Sequence, residues 1–298
     1  MTTSSTYDQF HARIDAGERL AAADIAGLVE TPDILPLGML ADELRRRLHG
    51  TQVTYLRVAM CPFDQSFTEV VLPAAREVRV TGAPESLSVA VEAVSQARSV
   101  AGTRIVSGFT WGAVSALASG GTTMTQVLDA LKHAGLDALA EVPLDLDAAL
   151  DDAVERLAGA GFQQVRLTVD KILAAARAPL FVRAAALQDR FACIHALNPL
   201  PMVLNAFRPT TGYDDVKMVA VARLAAPNIP TVQVDWLRYG PKLAQVALTF
   251  GADDLDGVTA SDVAPEGRRR APLEEVRRNI EAAGLTPAER DGRFAVLS

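Results

Sequence analysis

Hydrophobic residues recur along this chain with two different spacings. Between Tyr213 and Leu224, apolar residues recur every three or four positions, as on one face of a helix. Residues 231–236 instead alternate apolar and polar positions, as a strand does. Helical and strand-like stretches follow one another in this way from residue 52 onwards. The eight predicted strands are Gln52–Arg57, Glu77–Thr81, Thr103–Phe109, Ala138–Val142, Gln164–Val169, Ala192–Leu197, Thr231–Trp236 and Asp254–Val258.

This alternation predicts an α/β fold. Parallel strands need long crossover connections, usually helices, so eight strands joined in this way predict a (β/α)8 TIM-like barrel. A doubly wound open sheet is the alternative. Residues 1–50 are predicted to form an N-terminal helical cap packed on the barrel, and residues 51–298 a single barrel domain with a C-terminal helix. Only residues 58–75 join the first two strands, which predicts that this crossover helix is short or missing. Residues 293–297 are predicted to form a short extra strand.

The fifth and seventh strands each have one polar face. Because helices cover the outside of a barrel, the apolar face should point outward and the polar face should line the lumen. The alternative is an antiparallel sheet with one face in solvent, which the helical crossovers disfavour. A barrel would therefore hold a wet cavity with polar walls. The polar faces comprise Gln164, Arg166, Thr168 and Asp170 in one strand, and Thr231, Gln233 and Asp235 in the other.

Composition and charge exclude several classes of function. The net charge of −7 argues against a nucleic-acid surface. No apolar run approaches the ~20 residues of a membrane span, and the N-terminus has no basic region before an apolar one, so we expect a soluble cytoplasmic protein. Cys61 and Cys193 lack metal-ligand spacing and are expected to be reduced and buried. Neither Ser-His-Asp order nor His-x-x-x-His spacing supports a hydrolase or a zinc site.

Long specific runs after residue 209 carry a family resemblance. They are Gly212-Tyr-Asp-Asp-Val, Gly240-Pro-Lys-Leu-Ala-Gln-Val-Ala-Leu and Gly251-Ala-Asp-Asp-Leu-Asp-Gly, and weaker similarity covers residues 40–57 and 127–136. With these runs the sequence resembles the aminofutalosine synthase branch of the radical S-adenosylmethionine family, which serves the futalosine route to menaquinone. That branch is related to the enzymes that build the deazaflavin of coenzyme F420. The resemblance implies a barrel with a ligand pocket.

The chain departs from this family where the iron–sulfur cluster should bind. The family places a Cys-x3-Cys-x2-Cys motif just after the first strand, whereas this sequence has Met60-Cys-Pro-Phe-Asp-Gln-Ser-Phe67 there. Three thiolate ligands cannot come from two cysteines, so we expect no [4Fe–4S] cluster, no other metal site and no radical chemistry. In the family, a glycine-rich turn lies near the methionine part of S-adenosylmethionine. Here that turn reads Thr81-Gly82-Ala83-Pro84-Glu85 and lacks one glycine, which leaves cofactor binding by Gly82 and Glu85 in doubt.

An acidic cluster around the last strand supplies candidate ligand-binding residues. Asp253, Asp254 and Asp256 match the family motif and could accept hydrogen bonds from a ribose or an amine at the barrel mouth. They could equally cap a turn or form salt bridges. Gln233 and Asp235 are better candidates, because strand alternation alone points them into the lumen.

Three further residues could each have a functional role or a purely structural one. His195 lies in the sixth strand and could act near neutral pH, although a lone strand histidine is more often a packing residue. Lys242 follows Gly240-Pro241 at a helix start and could bind an anion, or simply face solvent. Arg166 could bind a ligand or pair with Asp170 across the lumen. Catalytic residues are unknown, with Asp235 and His195 as the candidates.

Three hypotheses about function follow. The first is a cluster-less homologue that binds a small metabolite, or pairs with a radical S-adenosylmethionine enzyme of menaquinone biosynthesis. The second is an active non-radical enzyme on a nucleoside or aromatic carboxylate, in which Asp235, Asp254 or His195 converge on a deep pocket as acid or base. The third is a scaffold subunit with a filled lumen and an exposed apolar patch.

Overall fold

The computed structural model describes residues 3–146, 149–171, 177–203, 211–264, 266 and 270–297. The eight predicted strands are all present, and a ninth follows near the C-terminus. The strands are β1 Gln52–Pro62, β2 Glu77–Thr81, β3 Ile105–Thr110, β4 Ala138–Pro143, β5 Val165–Val169, β6 Ile194–Pro201, β7 Thr231–Asp235, β8 Asp254–Thr259 and β9 Thr286–Glu289.

Helices connect most of the strands and also precede the first one. The helices are α1 Thr3–Asp15, α2 Ala22–Glu30, α3 Ile34–His49, α4 Leu87–Ala101, α5 Trp111–Ala116, α6 Met124–Ala134, α7 Ala149–Gly159, α8 Arg177–Phe191, α9 Gly212–Ala225, α10 Trp236–Leu248 and α11 Pro272–Ala282.

The first eight strands form a closed parallel barrel. Each pairs with the next in chain order, and β8 pairs with β1, which also pairs with β2. This closure confirms the TIM-like barrel, and it excludes both the open sheet and the antiparallel alternative. Between β1 and β2, residues 63–76 contain turns but no helix, as the short spacing predicted.

The ninth strand lies beside the first at the amino end of the barrel. Residues Gln52–Tyr55 of β1 pair in parallel with Thr286–Glu289, whereas Val58–Pro62 pair with β2. The predicted strand over residues 293–297 is wrong, because the regular pairing ends at Glu289. Beyond it, Arg290 and Val296 form an isolated antiparallel bridge. We call residues 290–297 the C-terminal plug, since they turn back across the amino end of the barrel.

The N-terminal helices contact the outer faces of α8 and α9. Arg19 binds Asp189 of α8 through both guanidinium nitrogens, and Lys217 of α9 donates a hydrogen bond to the carbonyl of Thr31. At Gly38 a Cβ atom would lie 2.7 Å from the Phe250 ring, so α3 approaches the barrel closely at a residue without a side chain. No helix among the described residues is long and apolar enough to cross a membrane.

Local sequence signals explain how the two helices after β6 begin. Thr211 and Asp214 form a capping box, and α9 starts at Gly212. The next helix, α10, starts earlier than predicted, because Asp235 caps it by accepting a hydrogen bond from the Arg238 N–H at 2.9 Å. Trp236 therefore belongs to this helix and not to β7. A kink at Gly240, with φ of 72°, separates its first turn from the remainder.

Candidate functional site

A cavity of about 260 Å³ opens at the carboxyl ends of the barrel strands. Active sites of TIM barrels lie at this end, where loops after the strands surround the lumen. Strand alternation delivers the polar side chains that face it, as the pattern in β5 and β7 predicted. The polar lining residues are Arg79, Thr81, Thr110, Glu141, Thr168, Asn198, Gln233, Asp235, Arg238 and Asp256, and the apolar ones include Met60, Val80, Phe109 and Met202.

The cavity floor is an ion pair between β2 and β8. The Arg79 guanidinium donates two parallel hydrogen bonds to Asp256, at 2.8 and 3.0 Å, and its other edge contacts Glu77 at 2.7 and 2.9 Å. Both Arg79 and Asp256 are buried. Burial alone would raise the pKa of Asp256, but Arg79 holds it below its usual range. Asp256 is therefore a carboxylate whose charge is already matched.

Glu77 lies beneath this pair and is fully buried. It accepts hydrogen bonds from Arg166 at 2.6 and 2.8 Å and from Ser107 at 2.5 Å, in addition to those from Arg79. Burial opposes its ionisation, yet Arg166 and Arg79 together hold the pKa of Glu77 well below its usual range. Arg166 therefore pairs with Glu77, and the predicted alternative of a pair with Asp170 is wrong.

A second charged layer closes the amino end of the barrel. Arg290 of the C-terminal plug binds both oxygens of Asp254, at 2.6 and 2.7 Å, and Gln233 and Thr54 donate to the same carboxylate. The Phe294 ring stacks on His195 with centroids 4.1 Å apart. Burial is the main cause that lowers the pKa of His195 to about 4, and the positive charge of the neighbouring Arg290 lowers it further. The ring is therefore neutral at physiological pH.

The hypothesis that Asp235, Asp254 and His195 converge in one pocket is not supported. Asp235 lines the carboxyl-end cavity, whereas Asp254 and His195 belong to the layer closed by the C-terminal plug. Alternation along β8 points Asp254 and Asp256 into the lumen at different depths and turns Asp253 outward. Asp253 instead binds the buried Arg223 of α9 and the Val232 N–H, so it is a structural residue.

Two other predicted residues also lie away from the cavity. Lys242 is exposed on α10, and Glu85 is exposed after β2; neither lines the cavity. Gly82 does line it, with φ of 105°. A Cβ at Gly82 would lie 2.6 Å from the Phe63 ring, so the loop after β1 packs directly on this turn.

The cavity walls carry two carboxyl groups whose charge is poorly matched. Burial raises the pKa of Glu141, and burial together with the nearby Asp256 raises that of Asp235. Arg238 approaches both, but its distances of 3.9 Å to Glu141 and 3.7 Å to Asp235 exceed hydrogen-bond length. Thr168, 4% exposed, has a side-chain oxygen without a hydrogen-bond partner among the described residues.

Arg79, Glu141 and Arg238 are site residues that sequence reasoning missed. Arg79 could have been predicted from the sequence, because Glu77-Val-Arg-Val-Thr81 alternates polar and apolar residues just as β5 and β7 do. Glu141 lies in a strand with a single polar residue, where no alternation is visible. Arg238 follows β7 in a helix, and only the tertiary structure brings it to the cavity.

Comparison with known sequences finds relatives of part of the chain. Residues 199–297 match the family model described as the CofH/MqnC C-terminal region. The chain is 35% identical to aminodeoxyfutalosine synthase of Thermus thermophilus over 105 residues, which are 33% of this chain and 27% of that enzyme. The C-terminal third of the chain therefore resembles the CofH/MqnC C-terminal region. The predicted family resemblance is thereby confirmed, and it is strongest in the C-terminal third.

A second group of similar proteins has a different name. The chain is 36% identical over 124 residues to 5-amino-6-(D-ribitylamino)uracil--L-tyrosine 4-hydroxyphenyl transferase of Archaeoglobus fulgidus. The aligned region covers 37% of this chain and 36% of that enzyme. The matched region thus spans about a third of the length of these curated relatives.

Solved structures extend the similarity of fold over nearly the whole chain. HydG, a maturase of the [FeFe]-hydrogenase, superposes with a TM-score of 0.69 at 14% identity, covering 96% of this chain and 76% of HydG. Methylornithine synthase superposes with a TM-score of 0.67 at 16% identity, covering 96% and 98% of the two chains. At such low identity these neighbours establish the barrel fold of this chain and nothing about its chemistry.

The residues at the carboxyl end of β1 do not fit an iron–sulfur cluster. Cys61 is fully buried, its thiol contacts the Ala59 carbonyl, and burial raises its pKa to about 11. The neighbouring Met60 faces the cavity instead. Cys193 is buried just before β6, at the opposite end of the barrel. These two thiols cannot provide three thiolate ligands at one point.

Proposed function

We propose that this chain is a ligand-binding protein without radical chemistry. In this proposal it binds neither a [4Fe–4S] cluster nor S-adenosylmethionine, and it holds a small polar metabolite in the carboxyl-end cavity. The observation that carries the proposal is the position of Cys61. Its protonated thiol is buried in the hydrophobic core. A cluster ligand would instead have to be an exposed thiolate at the cavity.

The packing around Gly82 supports the absence of S-adenosylmethionine. The Phe63 ring lies against this glycine, and the Phe63 N–H donates to the Thr81 carbonyl at 3.0 Å. The loop that would approach a cofactor from β1 is therefore folded onto the turn after β2. A methionine moiety at this place would have to displace the Phe63 ring.

The open cavity favours ligand binding over a purely structural role. A scaffold subunit needs a filled lumen, whereas this barrel keeps about 260 Å³ at its carboxyl end. The walls combine apolar side chains with a few directed polar groups, which is typical of small-molecule sites. The buried Thr168 hydroxyl has no described partner, and a ligand atom could satisfy it.

A non-radical enzyme is the second candidate function. Glu141 and Asp235 both have raised pKa values and line the same cavity, which is how enzymes prepare carboxyl groups for proton transfer. His195 has no part in this version, because it is stacked on Phe294 below the floor. A nucleoside or an aromatic carboxylate remains the substrate class to test. Partnership with a radical enzyme of menaquinone biosynthesis is a separate proposal that a pull-down would address.

Anaerobic reconstitution with iron and sulfide tests the loss of radical chemistry. We expect no stoichiometric cluster absorbance and no cleavage of S-adenosylmethionine under reducing conditions. Ligand binding is tested by calorimetry with S-adenosylmethionine, adenosine and aromatic carboxylates, using Thr168→Val as the cavity variant. A cluster that cleaves S-adenosylmethionine would refute the proposal. So would failure of every small molecule tested to bind wild-type protein.

A further inference from the structure

We infer that the carboxyl-end cavity selects a ligand that carries an ammonium group. This inference rests on the proposed function, namely that the cavity is a ligand site, and it adds the chemical class of the ligand. The ammonium would lie between Glu141 and Asp235, and the apolar part of the ligand would lie against Met60, Phe109 and Met202. Charge in the barrel is balanced below the cavity and is not balanced at the cavity walls.

The charges below the cavity balance without a ligand. Three buried carboxylates face three buried guanidiniums, and each carboxylate is held by at least one of them at 2.8 Å or less. This lower network therefore requires no counter-ion from solution. It comprises the carboxylates of Glu77, Asp254 and Asp256 and the guanidiniums of Arg79, Arg166 and Arg290.

The cavity walls above this network have an excess of negative charge. Glu141 and Asp235 line the cavity with Arg238 as the remaining cation among its described lining residues. The Arg238 guanidinium donates to the Met202 carbonyl and does not reach hydrogen-bond distance from either carboxylate. Asp170 lies close enough to disfavour the charged form of Glu141 further. A cation in the cavity would relieve this imbalance.

The Glu141 carboxylate also lacks hydrogen-bond donors. No described residue donates a hydrogen bond to it, and its side chain is 26% exposed. Asp235 uses one oxygen to cap α10, which leaves its other oxygen available to a ligand. An ammonium group has three N–H donors, so it could bind both carboxylates and the Thr168 hydroxyl, which also has no described partner.

An organic cation fits this site better than a metal ion. Within the described ranges, the one group of three carboxylate or imidazole ligands close enough to hold a metal lies elsewhere, at His11, Asp15 and Glu43. Glu141, Asp235 and Asp256 do not form such a group. Apolar side chains cover part of the cavity wall, and they would contact the carbon atoms of an amine.

Three probes that share one ring and differ in charge test this inference. They are benzylamine, benzyl alcohol and benzoate, titrated into full-length protein by calorimetry at pH 7 and low salt. We expect benzylamine to bind about tenfold more tightly than the alcohol, and benzoate most weakly, because opposite charges at the mouth attract through a partly screened medium. Binding of the alcohol or benzoate as tightly as the amine would overturn the inference.

Matched variants locate the effect. Glu141→Gln keeps the shape of the side chain and should reduce benzylamine affinity about tenfold, while affinity for benzyl alcohol stays unchanged. Glu155→Gln removes the same charge from the exposed face of α7 and should change neither affinity. Equal losses of benzylamine affinity in both variants would show that only the net charge of the protein matters, and they would refute the site. If none of the probes binds, the inference also fails; the iron–sulfur reconstitution then still tests the proposed loss of radical chemistry.

Discussion

Replacing Glu77 by glutamine should destabilise the barrel strongly. Glu77 accepts five hydrogen bonds, two each from Arg79 and Arg166 and one from Ser107, and it is fully buried. Glutamine has nearly the same shape but carries no charge. One of its two terminal groups is an amide that donates hydrogen bonds, so it would face guanidinium N–H groups that also donate.

The magnitude follows from what Glu77→Gln leaves behind. The lower network, which is neutral in the parent, gains a net positive charge because one buried guanidinium is left without a matching carboxylate. At least one hydrogen bond from Arg166 is also lost. Breaking a buried ion pair by removing one partner typically costs about 3–5 kcal/mol, because the remaining charge is uncompensated. That loss is a large part of the ~5–15 kcal/mol by which domains are stable.

Urea unfolding monitored by circular dichroism measures this loss. At pH 7 we expect Glu77→Gln to lower the free energy of unfolding by about 3–5 kcal/mol, and the exposed control Glu281→Gln to change it by less than about 0.5 kcal/mol. The folded-state pKa of Glu77 lies below its ordinary value of 4.5, so its contribution is lost as pH falls below that value. The variant should therefore show a flatter decline in acid. A loss under about 1 kcal/mol at pH 7 would refute this account of the network.

Three further predictions address other parts of the chain. Gly292→Ala would place a methyl group 2.7 Å from Ile105 and 2.9 Å from Glu77, so it should cost about 1–3 kcal/mol in urea unfolding, whereas Gly159→Ala, with nothing within 4 Å, should be nearly neutral. His195 should titrate by NMR with a midpoint near 4, its resonance assigned with His195→Gln; a midpoint near 6.5 would contradict burial beneath Phe294. Cys61 should react with a thiol reagent at pH 8 only after unfolding, because its pKa is raised to about 11 and it is buried; rapid reaction in the native state would contradict the proposed loss of the cluster site.

The strands were predictable because most of them carry a local pattern. Polar residues alternate with apolar ones in β5 and β7, and β2 starts and ends at the predicted residues. The errors lie where tertiary contacts override local pattern. β1 continues to Pro62 because β2 pairs with its second half, and no local signal extends a strand through a proline.

Site residues were predictable where alternation gives the direction of a side chain. Gln233, Asp235 and Asp256 face the lumen as expected, and Asp253 faces outward because it is one position removed from Asp254. The depth of a side chain along the barrel axis was not predictable. Asp254 belongs to the layer closed by the C-terminal plug, and nothing in the sequence shows that Arg290 returns to that end.

The carboxyl-end cavity is separate from the layer closed by the C-terminal plug, so residues at the cavity can change while the fold is kept. The network from Glu77 to Arg290 joins β2, β5 and β8 to the C-terminal plug, and it is neutral without any ligand. Residues at the carboxyl ends of the strands make few of these contacts. Changes at the carboxyl end of β1, where Met60 faces the cavity and Cys61 the core, can therefore alter what the cavity binds while the network keeps the barrel closed. A variant with an exposed thiol at residue 60, Met60→Cys, should consequently fold as the parent does, with a change in free energy of unfolding below about 1 kcal/mol, because Met60 is already 38% exposed.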